Sequence, residues 1–314
     1  MADNGDRTIK QWMEIFSDLY SKSDSDRTPE QIWIAVMAHS SSIGESIRKD
    51  AYRELLRNAA HTFCWLCSFV NRCNTLEGDI FSIKGSLCEI ITVKYPHMCG
   101  HCESNPCTCN PIKMDAETNK SARYERLMLY RKDILPAIEQ HSIAAWKGIF
   151  AKIFGTNVHM SSLESIGFHF LEEVGECAVG VRKLSQLKRV ADAGEKDIDT
   201  KFLQGLNTIG EIYKGYKKYY QPYESQPLDS LITSHEVGKL KARIAEAKWE
   251  LLVEIGDTFS WFCAILNKLD SISKNSEFEL LSLEETLNDE YIGEDDKARC
   301  PTCKTIPCSC LFFS

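Results

Sequence analysis

The chain has 314 residues, 43% of them hydrophobic, enough to bury a sizeable core as one large domain or two modest ones. Its 37 Lys and Arg against 45 Asp and Glu leave a net charge of −8 with no large basic block, which disfavours nucleic-acid backbones as partners. No apolar run reaches the roughly 18 residues of a membrane span, and the start MADNGDRTIKQW lacks a signal-peptide core, so a soluble cytoplasmic protein with no membrane partner is expected.

In chain order, Ile9-Lys-Gln-Trp12-Met-Glu-Ile15-Phe16 comes first, and it returns later as Ile143-Ala-Ala-Trp146-Lys-Gly-Ile149-Phe150. Ser41-Ser-Ile-Gly-Glu45 likewise lines up with Glu172-Glu-Val-Gly-Glu176. The strongest match sets Glu54 through Asn71 against Glu250 through Asn267, where Glu54, Leu55, Leu56, Thr62, Phe63, Trp65, Cys67 and Asn71 equal their counterparts. A duplicated unit is the direct reading.

Eight of the fourteen cysteines fall into two clusters of identical spacing. They are Cys99, Cys102, Cys107 and Cys109, and then Cys300, Cys303, Cys308 and Cys310, each with a proline before its third cysteine (Pro106, Pro307). Four thiolates so spaced can wrap one Zn²⁺ tetrahedrally, and sites filled by protein ligands are structural. Two structural zinc sites are expected. His101 lies inside the first knot but has no place among four cysteine ligands.

Between the copies, Asn110 to Ala122 is polar and contains Pro111, the signature of a linker. Ser121 to Leu135 reads as a helix stopped by Pro136, with Ala137 to Phe154 as the first helix of the second copy. The second copy carries an insertion of roughly residues 184 to 241. Within it Asp199 to Tyr220 reads as helical, followed by the breaker-rich Gln221-Pro-Tyr-Glu-Ser-Gln-Pro227. Lys214, Lys217 and Lys218 interleave there with Tyr213, Tyr216, Tyr219 and Tyr220. Such a mixture can clamp phosphate and stack a base, but a solvated lysine face with tyrosines at a junction is favoured.

The segment from Trp249 to Leu269 has Leu251, Leu252, Ile255, Phe259, Phe262, Ile265, Leu266 and Leu269 at helical spacing and predicts a long apolar helix. Glu254 and Asp257 share one of its faces, and Glu172, Glu173 and Glu176 converge on one arc of an earlier helix. If the two helices pack antiparallel, four or five carboxylates meet in a hard oxygen cage suited to Mg²⁺ or Mn²⁺. In the first copy Ser41, Ser42, Asn58 and His61 stand at the places of Glu172, Glu173, Glu254 and Asp257, leaving Glu45 alone. That copy is expected to keep its packing and to have lost catalysis. Trp261 reads as core, because Trp65 occupies its place in the inert copy; Arg182 and Lys183 are candidate phosphate contacts.

The pairing of EExxE (Glu172, Glu173, Glu176) with ExxD (Glu254, Asp257) resembles the MazG-like, all-α nucleoside triphosphate pyrophosphohydrolases. The likeness covers roughly residues 142 to 270 and, more faintly, 8 to 73; the insertion departs from the short hairpin usual in that family. The resemblance implies an all-α fold of two tandem units forming an intrachain pseudo-dimer. Residues 1–110 would be the degenerate unit with its knot at 99–109, residues 111–141 a linker and connecting helix, and residues 142–314 the active unit with its knot at 300–310. It further implies Mg²⁺ held by Glu173, Glu176, Glu254 and Asp257, with Glu172 completing the cage or acting as base. The substrate would be a nucleoside triphosphate cleaved to monophosphate and pyrophosphate, and such pseudo-dimers can associate further. The rival expectation is a non-catalytic nucleotide-sensing or assembly protein on the same core.

Overall fold

The computed structural model describes residues 6–109, 120–193, 200–220, 237–274 and 280–310. All regular structure among them is helical, joined by three isolated β-bridges. The helices are α1 (Ile9–Ser25), α2 (Pro29–Arg48), α3 (Tyr52–Thr75), α4 (Leu87–Ile91), α5 (Lys120–Ile138) and α6 (Ile143–Met160). They continue as α7 (Leu163–Asp192), α8 (Thr200–Gln204), α9 (Ile209–Gly215), a π-turn at Tyr216–Tyr220, α10 (Val237–Lys274) and α11 (Leu283–Tyr291). None among the described residues is long and apolar enough to cross a membrane.

Local sequence sets the helix starts. Thr8, Thr28, Ser86 and Ser282 each form a capping box with the Gln or Glu three residues on, satisfying otherwise orphaned N–H groups. Pro29 occupies the first turn of α2, where its missing N–H costs nothing. The helix predicted around Trp249–Leu269 is the centre of a much longer one, because the apolar stripe continues through Leu240, Ile244 and Ala247.

Three local expectations need correction. Pro136 does not stop α5, which runs through it to Ile138; the chain then turns at Glu139–Gln140, and α6 opens at Ile143 rather than Ala137. The 199–220 segment is not one helix, for α8 and α9 are separated around Gly205–Asn207. The insertion starts and ends as helix, since α7 runs on to Asp192 and α10 begins at Val237. The linker residues 110–119 and the breaker-rich 221–236 lie outside the described residues.

The core is one cluster from Ile9 to Ile292. An aromatic chain joins the halves: Phe16 lies edge-on to Phe63 at 6.1 Å, Phe63 stacks on Phe262 at 6.4 Å, and Phe150 meets Phe259 at 6.4 Å. Each such buried ring contributes about 1.5–3 kcal/mol of burial. Helices α2 and α7 approach closely because Gly167 faces Ile47 and Gly44 faces Leu171; a Cβ would come within 2.6 and 3.0 Å.

The matched sequences make matched contacts. Asn71 Nδ2 donates to Met13 O at 2.8 Å, and Asn267 Nδ2 donates to Lys147 O at 3.1 Å. The cysteine knots dock crosswise. Cys107 N donates to Ile153 O of α6 at 2.8 Å, and Cys308 N donates to Leu19 O of α1 at 2.7 Å.

Candidate functional site

Sulfur positions in both knots suit a tetrahedral metal. The Sγ atoms of Cys99 and Cys109 lie 3.7 Å apart and those of Cys102 and Cys107 3.9 Å. In the second knot the separations are 3.9 Å (Cys300–Cys310), 3.8 Å (Cys303–Cys308) and 3.4 Å (Cys300–Cys308). A tetrahedron with Zn–S bonds of about 2.3 Å has edges of about 3.8 Å. None of the cysteines is in a disulfide, and each knot could bind one Zn²⁺.

Backbone N–H groups point at the sulfurs, from Thr108 to Cys102 and from Ser309 to Cys303, at 3.3 and 3.4 Å. Burial raises the Cys102 thiol, but the Thr108 hydrogen bonds outweigh it and bring it down to about 6. The Thr305 hydroxyl and the Ser309 N–H bring Cys303 to about 5. Those two sulfurs are poised as thiolates, the form that binds metal. The His101 ring turns its Nδ1 to Arg123 at 2.8 Å, while its backbone N–H donates to Cys99 Sγ at 3.4 Å.

The second site lies between α7 and α10. These helices run antiparallel, as paired contacts along them show: His169 stacks on Trp261 at 4.6 Å, Cys177 Sγ meets Thr258 Oγ1 at 3.4 Å, and Lys183 pairs with Glu250 at 2.8 Å. Glu173, Glu176 and Glu254 consequently converge, each offering a carboxylate oxygen within 4.8 Å of the others. Ligands trans across an octahedral Mg²⁺ are about 4.2 Å apart, so small side-chain rotations close the gap. None of the three has a lysine or arginine of its own among the described residues.

That crowding has an electrostatic consequence. Burial, then the charges of Asp257, Glu254 and Glu176, push Glu173 up to about 8, with Lys94 opposing. Burial, then Asp257 and Glu176, push Glu254 up to about 7, again against Lys94. Carboxyls that must hold protons near neutral pH are groups from which a cation displaces protons with advantage.

Asp257 stands apart. It is 5% exposed, and both its oxygens are taken: Lys94 Nζ bonds Oδ2 and the Tyr95 hydroxyl donates to Oδ1 at 2.5 Å. Its carboxylate and that of Glu254 raise Lys94 above the ordinary ammonium range despite burial. Glu172 is exposed on the neighbouring face, where it meets His169 Nδ1 at 3.2 Å. Three of the five sequence-predicted acids thus form one cluster, with Asp257 held beside it and Glu172 outside.

The other candidates are engaged elsewhere. Lys183 pairs with Glu250, and Arg182 is exposed. Tyr213 and Tyr216 pack on buried Trp249 at 5.0 and 5.8 Å, while Lys214 and Lys217 pair with Glu211 and Glu125. Trp261 is half-buried beneath His169. In the first half Glu45 turns outward to Lys49 at 2.5 Å, and Asn58 Nδ2 donates to Ser46 Oγ at 3.2 Å.

Lys94, Tyr95 and His169 escaped the sequence reading. The one available signal was Tyr95 ahead of the first knot, repeated as Tyr291 ahead of the second. Compared with family models, curated proteins and solved structures, the chain finds no match.

Proposed function

We propose that this chain is a divalent-cation-dependent hydrolase that splits a nucleoside triphosphate into the monophosphate and pyrophosphate, in the manner of the MazG-like enzymes its motifs resemble. One observation carries the reading: Glu173, Glu176 and Glu254 converge within 4.8 Å at a solvent-open place between two helices. Carboxylates gathered so closely repel one another, and a hard cation such as Mg²⁺ or Mn²⁺ offsets that repulsion. When bound, the ion would neutralise phosphate charge and acidify a water for attack on the anhydride.

The chain's residues divide the remaining tasks. Glu173, Glu176 and Glu254 hold the ion, and Asp257 adds negative charge beside it. Glu172, exposed beside the cluster and 3.2 Å from His169 Nδ1, would serve as the base that takes a proton from water. The first half serves as the scaffold of an intrachain pseudo-dimer, with Asn58, at the place of Glu254, donating to Ser46 Oγ. The knots carry structural zinc and tie each half to the first helix of the other.

The test is pyrophosphate release from every common NTP and dNTP, with Mg²⁺ or Mn²⁺. Release that depends on the cation and on Glu176 is expected; no release from any nucleotide would end the hydrolase reading. The competing sensor or assembly reading draws on one observation, that Lys94 already satisfies Asp257. It requires cation or nucleotide binding without turnover in the same assay.

A further inference from the structure

Among the described residues, the ammonium paired with Asp257 at this site comes from the other half of the chain. Lys94 lies in the segment between α4 and the first cysteine knot and pairs with Asp257 of α10. One close approach fixes it there: Gly100 of the knot packs so tightly that a Cβ would lie 2.5 Å from both Lys94 Cγ and Lys94 O, while a Cβ on Gly256 would meet Lys94 Cβ at an ordinary 3.7 Å. The knot's backbone thus sets where the lysine stem runs.

The chain contains its own control. Tyr95 reaches Asp257, and Tyr291 reaches His61, the residue at the matching place, at 2.8 Å. The tyrosine contact is common to both halves. The residue before each tyrosine differs in sign: Lys94 beside the acids, Glu290 beside the half that lost them, where it pairs with Arg57 at 2.9 Å. A lysine kept only where the carboxylates are kept belongs to their chemistry. Its side chain keeps 23% exposure although the ammonium is tied to buried Asp257.

We infer that Lys94 is a substrate-binding residue of the carboxylate site, supplied by the first half: its ammonium takes a phosphate oxygen of a polyphosphate chain once a divalent cation balances Asp257. The inference rests on the cation-dependent reading above. A lysine that leaves one anion for another needs no bond to form or break beyond hydrogen bonds, and a compact ammonium suits a phosphate oxygen.

The experiment uses the full chain and inorganic tripolyphosphate as probe. Mn²⁺ binding is titrated first without phosphate, then tripolyphosphate is titrated into the Mn²⁺-loaded protein, for the unaltered chain, Lys94→Met, Lys94→Gln and Lys94→Arg. Removing a cation beside the cluster should leave Mn²⁺ binding as tight or tighter. Loss of a charged hydrogen bond should weaken tripolyphosphate by about tenfold or more in Lys94→Met and Lys94→Gln, with Lys94→Arg recovering most of it. In turnover the same variants should raise KM more than they lower kcat.

Unchanged tripolyphosphate affinity in the folded Met or Gln variant overturns the inference, as does an unaltered chain that fails to bind the probe. Mn²⁺ binding weakened in step with tripolyphosphate also overturns it, since Lys94 would then be a brace for Asp257. A chain that binds tripolyphosphate through Lys94 but releases no pyrophosphate from nucleotides refutes the hydrolase reading alone.

Discussion

Tyr95 donates a 2.5 Å hydrogen bond to Asp257, and the matching tyrosine, Tyr291, meets His61 Nδ1 at 2.8 Å. The same backbone arrangement thus presents a phenol to a carboxylate in one half and to an imidazole in the other. Burial, then the Asp257 charge, push the Tyr95 phenol well above its ordinary range, so it stays a donor. On the opposite side His61 is lowered from the usual histidine range by burial and by Arg57 against Glu290, which keeps it neutral at physiological pH. One side gathers carboxylates, and the other sets an imidazole in the matching place beside the Arg57–Glu290 pair.

This asymmetry predicts unequal mutants. Glu176→Gln alters an exposed side chain, so the melting temperature should hold while pyrophosphate release falls on the order of 100-fold. Asp257→Asn should lower activity and also stability, by about 3 kcal/mol, because Lys94 loses its buried counter-charge. Glu45→Gln, an exposed residue paired only with its own helix neighbours, should change neither. Activity lost in Glu45→Gln but kept in Asp257→Asn would place the site in the wrong half.

The metal-free protein should lose stability as pH rises. Glu173 and Glu254 hold protons up to about 8 and about 7, whereas in the unfolded chain they release them near 4.5. Between those limits the native state binds more protons than the unfolded one, so stability falls with increasing pH. Glu254→Gln should flatten that fall and raise the melting temperature at pH 8 by about 2 °C or more without added cation. Mg²⁺ should stabilise the unaltered chain and not the variant. Identical pH profiles for the two would count against a strained cluster.

Buried Lys248 gives a pH dependence of opposite sign. Its ammonium donates to Ser82 O at 2.8 Å and Leu206 O at 2.7 Å, and burial lowers it from 10.5 to about 7. Above about 7 the unfolded chain binds the proton that the native state has shed, so this group's contribution to stability grows from about pH 7 to 10.5. Lys248→Met should remove that growth. It should also loosen the insertion, since the lysine ties Leu206 to Ser82 of the first half. Urea melts across this pH range test it, and an unchanged slope would show that other groups set the profile.

Elemental analysis of protein purified without added metal should find about two zinc ions per chain, one for each set of four thiolates. Cys303→Ser should halve the zinc and free the 300–310 segment, because metal binding and local folding are one free energy in such knots. The hydrogen bond from Cys308 N to Leu19 O should then open, giving faster amide exchange around the C-terminal end of α1. Zinc absent from the unaltered protein would refute the knots as metal sites.

In the sequence by itself the helical class, the internal repeat and both four-cysteine clusters were legible, as were five acids on two helices, of which three converge. Each rests on short-range regularity: helical spacing, repeated identities, fixed ligand intervals and acids a turn apart. It could not settle where Asp257 would point, because its partners Lys94 and Tyr95 lie across the molecule in a loop without a motif. Nor could composition show that Pro136 would sit within a helix, or that the tyrosines of 213–216 would close around Trp249. The packing reveals that each knot docks on a helix of the other half and that Lys94 of the first half meets Asp257 of the second. Those outcomes depend on which helix faces meet across the core, and no interval along the chain encodes that distance.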